Sequence, residues 1–324
     1  MKLTNKQLTS LLPYVVLLVV ALILPLFVHA SYWIGIFISV LYKVIATVSL
    51  RTISLSGKLT FAHGSFIALG AYCAGVLAKN LGIHPLITIL LGGLFAALVS
   101  VITGLPFVRL KGLYYSMASM FLGVTIICII KALKITGGYR GLAGVPALFK
   151  NGVHSYYFFI LLTVVCLAIL YRFEFSRIGT TLRALAQSDD VAASIGINPT
   201  FYRLLAVGVG SFFGGIAGAS YAHYATILST TNYDMLFSLW LLMYMMIGGE
   251  NKFIGPIIGT IIFVLIPEFG RGVSEYAPYI TAACTIVVAY LLPGGLAGIP
   301  DVIRRRKASQ LQNVAQADRG EAQQ

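Results

Sequence analysis

Charge is scarce in this sequence. Asp, Glu, Lys and Arg make up 10% of its 324 residues, where soluble domains carry roughly 25%. A hydrophobic content of 58% and a mean hydropathy of +0.90 agree with this, and together they exclude a water-soluble fold. Acidic residues are scarcer still, 10 against 23 basic ones. Asp234, Glu250, Glu268 and Glu275 fall near the ends of apolar runs. The paired intramembrane carboxylates of a proton or sodium relay are lacking, which argues against an ion-coupled carrier. Cysteine occurs only singly inside apolar runs, at Cys73, Cys128, Cys166 and Cys284, with no CxxC spacing. Such residues pack as small hydrophobes, so neither a redox pair nor a metal centre is expected. The one Gly-Lys pair, Gly57-Lys58, is followed by Leu59, so a GxxxxGK[ST] phosphate loop is absent. HExxH, GxSxG and clustered His, Asp and Glu are missing too, which leaves a membrane-embedded enzyme without a catalytic constellation.

Long apolar runs are what the sequence has in quantity. About 20 such residues cross a bilayer as a helix, whereas a transmembrane barrel would show alternating segments of about 10. Ten spans can be read, near 11–28, 32–50, 62–78, 86–108, 113–130, 155–171, 204–222, 236–248, 254–269 and 277–292. With the N-terminus inside, the cytoplasmic segments hold 16 of the Lys and Arg residues and the outer ones six, with Lys43 inside a span. That asymmetry obeys the positive-inside rule and places both termini in the cytoplasm. The outer segment with Lys131, Lys134, Arg140 and Lys150 runs against it. Lys2 and Lys6 precede the first run, and Val28-His29-Ala30 resembles a signal cleavage site, but the apolar core exceeds the ~7–15 residues of a signal peptide. A retained anchor is expected.

Four regions depart from plain membrane helix. From Arg51 to Gly75, Ser54, Ser56, Gly57, Lys58, Thr60, His63 and Gly64 are too polar to face lipid. The short apolar run behind them is either a broken helix lining a cavity or a tilted helix after a cytoplasmic loop. Near 204–222, Ala206, Gly210, Gly214, Gly218 and Ala222 recur every four residues, a stripe that lets helix backbones approach closely. Gly255 and Gly259 repeat the motif once. Residues 131–155 form a glycine-rich outer loop longer than a minimal hairpin requires. Last, Ser176–Arg203 is a polar segment with helical patterning. Two short helices are predicted there, one over 177–187 and one capped by Ser188, with Asp189 and Asp190 in its first turn, where they favour the helix dipole. Gly196 ends it and Asn198-Pro199 prevents continuation. Adjacent aspartates disfavour rest on an anionic membrane surface, so the segment reads as a docking surface for a protein partner.

The stretch SRIGTTLRALAQSDDVAASIGINPTFYRLLA, from Ser176 to Ala206, resembles the cytoplasmic coupling loop of bacterial branched-chain amino-acid ABC permeases, the LivM/LivH family, and is nearer its LivM-like subunits. LSGKLTFAHGSFIALGAY, TGGYRGLAGVP, GGIAGASYAHY, GPIIGT and LLPGGLAGI follow in the order that family has, so the likeness spans about Leu41 to Ile299. One departure is the turn Glu250-Asn251-Lys252, where the family stays small or apolar.

The resemblance implies an all-α polytopic protein of about ten transmembrane or re-entrant helices, a multi-pass permease of the bacterial cytoplasmic membrane. Residues 1–303 would be the permease domain, with 176–203 as coupling loop, and 304–324 a cytoplasmic basic cluster and disordered tail. It implies an importer with separate ABC ATP-binding subunits, a homologous second permease subunit and an extracytoplasmic solute-binding protein. This chain would bind no cofactor or metal and catalyse nothing; ATP and Mg would be used by the partner subunits. Arg177, Gly179, Arg183, Asp189, Asp190, Ala192, Ala193 and Gly196 would serve ATPase coupling. Ser56, Gly57, His63, Gly64 and Ser65 would line the translocation pathway. Related permeases for urea, amides or simple sugars share this architecture, so the solute stays open.

Overall fold

The computed structural model describes Leu17, Ala21, Leu22 and residues 31–110 and 112–269. The expected span 277–292, nearly all of 11–28, Cys284, LLPGGLAGI, the basic cluster at Arg304–Lys307 and the tail lie outside the described residues. The chain divides into two compact units, Met1–Met243 and Tyr244–Gln324.

Among the described residues six helices are long and apolar enough to cross a membrane: α1 Ser31–Ser54, α2 His63–Leu81, α3 Pro85–Phe107, α4 Leu113–Ala132, α5 Gly152–Glu174 and α8 Pro199–Ala225. Between α5 and α8 lie the short helices α6 Arg177–Gln187 and α7 Asp189–Ser194. α9 Met235–Gly248 and α10 Ile254–Phe269 follow, at 14 and 16 residues. Eight of the ten expected spans are thus described as helices, and the protein is a polytopic all-α membrane protein. Side chains cap two helix starts: His84 Nδ1 accepts from Leu86 N ahead of α3, and Asn151 Oδ1 accepts from Val153 N ahead of α5.

Two surfaces of α3 explain its place. Leu86, Leu90, Leu94, Leu98 and Ile102 form an exposed aliphatic stripe, one residue per turn. Such a stripe would be an aggregation hazard in water and is what acyl chains require in a bilayer. The opposite side carries Gly92, Gly93 and Ala96 and packs against α8.

α8 lies at the centre of the first unit. A Cβ on Gly210 would sit 2.6 Å from Ile53 of α1; on Gly218, 2.2 Å from Ile67 O of α2. Gly214 lies against His63 and Ile67 of α2, while Gly215 meets Ala96 and Gly93 of α3. Ala206 and Ala222, at the two ends of the stripe, are buried as well. Small residues on several faces therefore let α8 touch three helices at backbone distance, the contact that replaces hydrophobic driving force in lipid. A larger-residue core joins α1 to α5 through Ile34, Ile38, Tyr42, Tyr156, Phe159 and Ile160, and Tyr42 stacks on Tyr221 of α8 with ring centroids 4.1 Å apart. In the second unit Gly248 and Gly255 pack backbone to backbone, with Gly259 against Tyr244 O.

The glycine-rich loop is more ordered than its composition suggests. Lys134–Thr136 and Gly138–Arg140 form 3-10 turns. Leu142–Ala143, β1, pairs antiparallel with β2, Ile227–Leu228, and Val145 N donates to Thr226 O. His223 Nδ1 donates to Pro146 O at 2.8 Å while Nε2 meets Thr88 Oγ1 at 2.7 Å. The all-α expectation misses this small sheet because two-residue strands leave no periodicity to read.

Candidate functional site at the α5–α8 connection

The connection begins where α5 ends. Ser176 Oγ donates to Phe173 O, and α6 starts one residue later. Leu182 and Leu185 of α6 are buried, whereas Thr180 and Ala184 are exposed. Ser188 breaks the helix with extended backbone, and its hydroxyl accepts from Val191 N at 3.4 Å, capping α7. Gly196 ends the turn with φ +85°, a conformation that glycine adopts without strain, and Ile197 N after it donates back to Ala192 O. Asn198 Oδ1 then accepts from Phe201 N and caps α8. The two helices, the Ser188 cap and the stop at Gly196 match the sequence reading; the cap that Asn198 gives α8 was not part of it.

The charges do something the sequence did not suggest. Glu174, the last residue of α5, is 2% exposed and ion-paired with Arg51 of α1, itself 2% exposed. Arg183 of α6 reaches the same carboxylate, with Nη2 2.5 Å from Oε1, and its guanidinium lies over the Phe175 ring. Gly179 is buried because a Cβ there would stand 1.9 Å from Glu174 O. Asp189 grips Arg203 of α8 with both oxygens, at 2.8 and 2.5 Å. α6 is thus fastened to α1 and α5, and α7 to α8. A buried ion pair contributes little net stability, but breaking it by removing one partner costs about 3–5 kcal/mol, so these links hold the connection in place.

Of the residues expected to serve coupling, Gly179 and Ala192 are buried, and Asp189 and Arg183 are half-buried and engaged in the ion pairs with Arg203 and Glu174. Arg177, Asp190, Ala193 and Gly196 are exposed. Sequence reasoning missed Glu174, Arg51 and Arg203, which lie near span ends with no local mark of their partners. It also passed over Val191 on α7 and Ile195 just beyond its end, 66% and 71% exposed. A cavity of about 260 Å³ opens beside the connection, lined by Gly57, Lys58, Gly112, Gln187, Asp190 and Arg203 among others.

Of the residues expected to line a pathway, Ser56 and Gly57 lie in the turn after α1, Ser56 buried and Gly57 exposed, while His63, Gly64 and Ser65 open α2 and are buried. α1 continues to Ser54, beyond the expected limit, and α2 runs unbroken from His63. Of the stretch between them Ser56, Lys58 and Thr60 are buried in protein, while Gly57 and Leu59 are exposed. Ser56 Oγ donates to Ile53 O, and Gly57, at φ +75°, touches Ala186 of α6. Ser116 and Ser119 of α4 bond Leu59 O and Phe61 N, and Lys58 bonds Leu110 O, so the irregular backbone is satisfied by side chains. His63 Nε2 meets Ser49 Oγ and Ala46 O of α1, Gly64 N donates to Ser238 Oγ of α9, and Ser65 Oγ donates to Gly123 O of α4. Three consecutive residues fasten α2 to three different helices.

The sequence profile of the branched-chain amino acid transport system permease components matches residues 32–293. The high-affinity branched-chain amino acid transport system permease protein LivM of Salmonella typhimurium is 24% identical over 274 residues, which cover 75% of this chain and 64% of LivM. Escherichia coli LivM has the same figures. A probable branched-chain amino acid transport permease protein LivH of Methanocaldococcus jannaschii is 25% identical over 268 residues, 74% of this chain and 82% of that protein. The chain thus spans about two thirds of the length of the LivM proteins it matches. No solved structure matches. With the profile covering nearly the whole described membrane region, the chain belongs to the branched-chain amino acid transport system permease component family.

Proposed function

We propose that this chain is a permease subunit of an ATP-driven importer of branched-chain amino acids. It forms the translocation pathway with a homologous second permease subunit in the bacterial cytoplasmic membrane, ten spans crossing with both termini inside. ABC ATP-binding subunits lie beneath, where ATP and Mg are used, and an extracytoplasmic binding protein delivers solute. The chain itself performs no bond chemistry. The α5–α8 connection is its cytoplasmic coupling element, and Ser56, Gly57, His63, Gly64 and Ser65 frame the pathway by holding α2 in register with α1, α4 and α9.

The observation that carries this reading is the double fastening of the connection. A solvated loop of 28 residues would transmit nothing, because movement at one end would be lost in its own flexibility. Here Glu174 and Arg203 fix its two helices to opposite ends of the connection, so displacement of α7 reaches α8 and displacement of α6 reaches α1 and α5.

Co-expression with the family's ATP-binding subunits, and purification through a tag on this chain, tests the reading. A stable complex whose ATP hydrolysis rises with loaded binding protein supports it. A chain that purifies without any ATPase, while taking up leucine on an ion gradient, overturns it.

A further inference from the structure

On the importer reading, the cavity beside α7 opens to the cytoplasm, where imported solute accumulates. We propose that this cavity of about 260 Å³ is a second site, separate from the translocation pathway, that binds a free α-amino acid. The carboxylate lies at Arg203 and Lys58 and the ammonium at Asp190, and product held there restrains the connection.

Separate segments of the first unit converge on the cavity. They are the turn after α1 with Gly57 and Lys58, Gly112 ahead of α4, the α6–α7 junction with Gln187 and Asp190, and Arg203 of α8. Neither glycine has a side chain to fill the space, and a Cβ on Gly112 would meet nothing within 4 Å. Pockets that bury drug-sized ligands run to ~300–1,000 Å³, so this one suits a compact metabolite rather than a nucleotide.

Arg203 supplies the observation that points to a ligand. Its side chain is 9% exposed, and Nη1 and Nη2 each meet one oxygen of Asp189, an end-on pair. Nε, on the side edge of the guanidinium, has no partner among the described residues. A buried donor left unpaired is costly, and that edge is one a carboxylate can accept from. Lys58, also buried, adds a second cation to the lining. Its ammonium donates to Leu110 O and stands 5.4 Å from the centre of the Tyr115 ring. Asp190 is exposed and takes part in no ion pair among the described residues.

Charge balance selects the ligand class. Lys58 and Arg203 stand against Asp189 and Asp190 in the lining, so a phosphate dianion or a simple cation gains no net attraction. A zwitterion meets both signs at once. The apolar part of the lining is Leu185 and Ala186 with the two glycines, so the site reads the α-amino and α-carboxyl groups more than the side chain. A bound amino acid ties Asp190 of α7 to Arg203 of α8 and to Lys58 in the turn after α1. A ligand favours the arrangement that it binds better, so a connection bridged in this way is held still when cytoplasmic amino acid is abundant.

Hydrogen exchange over residues 185–191 of the assembled transporter, without binding protein, tests the site with leucine as probe. Protection is expected with leucine, and not with leucinamide or isocaproate, which lack the carboxylate or the ammonium. Asp190→Asn should weaken the protecting affinity about tenfold or more. Thr180→Ala, at an exposed position outside the cavity, should retain it. No protection by leucine, protection that survives Asp190→Asn, or equal protection by inorganic phosphate overturns the site. In proteoliposomes with binding protein outside, leucine loaded on the ATPase side should lower initial ATP-driven uptake at least about fivefold. The drop should shrink in Asp190→Asn, each variant being compared with its own rate without internal leucine. Uptake indifferent to internal leucine contradicts the restraint. A transporter with no ATP-driven uptake removes the importer reading, while the exchange measurement still decides the site.

Discussion

Asp189 and Arg203 meet in a two-armed ion pair, each carboxylate oxygen facing one guanidinium nitrogen at 2.5–2.8 Å. Arg203 is 8% exposed and its Nε has no partner. This guanidinium therefore depends on Asp189 for its charge balance, and the α7 helix is the part that supplies it. The relationship makes the position of α7 a property of α8.

Removal of either partner separates two effects. Asp189→Asn leaves a buried cation short of its carboxylate and costs about 3 kcal/mol. Arg203→Met instead strands the Asp189 carboxylate, which at 23% side-chain exposure keeps more contact with water than Arg203 at 9%, so the cost is smaller while α7 is released equally. Thermal unfolding in detergent should distinguish the two variants, while hydrogen exchange over residues 189–196 should rise in both.

Glu174 provides a sharper contrast. Glu174→Gln strips the carboxylate from Arg51, which is 2% exposed, and should cost about 3–5 kcal/mol. Arg183 has a side chain 41% exposed, so Arg183→Gln should cost about 1 kcal/mol or less. Folded yield and melting temperature check the order; a milder effect at Glu174 than at Arg183 would contradict the assignment.

Legibility in the sequence followed from how local the cause was. The two helices at 177–187 and 189–194 were readable because Ser188, Gly196 and Asn198-Pro199 carry their punctuation within a few residues. The stripe through Gly210, Gly214 and Gly218 was readable from its period, although nothing in it said that Gly215 would meet a third helix. The partners of Glu174 could not be read, since Arg51 lies 123 residues away and pairing at that distance is set by packing. The polar run at 54–64 resisted for the same reason: Ser116 and Ser119, which satisfy its backbone, sit on a helix that reads as ordinary membrane span.

Helix packing at α8 predicts a position-specific intolerance. Gly218→Ala places a methyl 2.2 Å from Ile67 O, a backbone atom that cannot swing aside, and overpacking of this kind costs typically 1–3 kcal/mol or more. Gly152→Ala meets only Ile34 Cγ2 at 3.8 Å and should be neutral. Detergent melting of the two variants checks this.

His223 is expected to hold the glycine-rich loop. Pro146 O can only accept, so Nδ1 carries a proton, and in the neutral ring Nε2 accepts from the Thr88 hydroxyl. His223→Ala removes both bonds and should increase proteolysis within residues 134–150, with the helices intact. His223→Gln, which can both donate and accept, should restore part of the protection.

Gly196 tests coupling apart from stability. Its φ is +85° and a Cβ there would meet nothing within 4 Å, so Gly196→Val acts through backbone strain of roughly 1–2 kcal/mol at the end of α7. Membrane insertion should be normal, with ATP hydrolysis continuing while uptake falls. Normal coupled uptake in this variant would remove α7 from the transmission path.

The most direct test is uptake of labelled leucine into proteoliposomes holding this chain, its partner permease, the ATP-binding subunits and loaded binding protein. ATP is supplied in one set and an ion gradient alone in the other. The account predicts uptake that requires ATP and stops when the ATPase is inactivated. Leucine uptake driven by the gradient without ATP would contradict it.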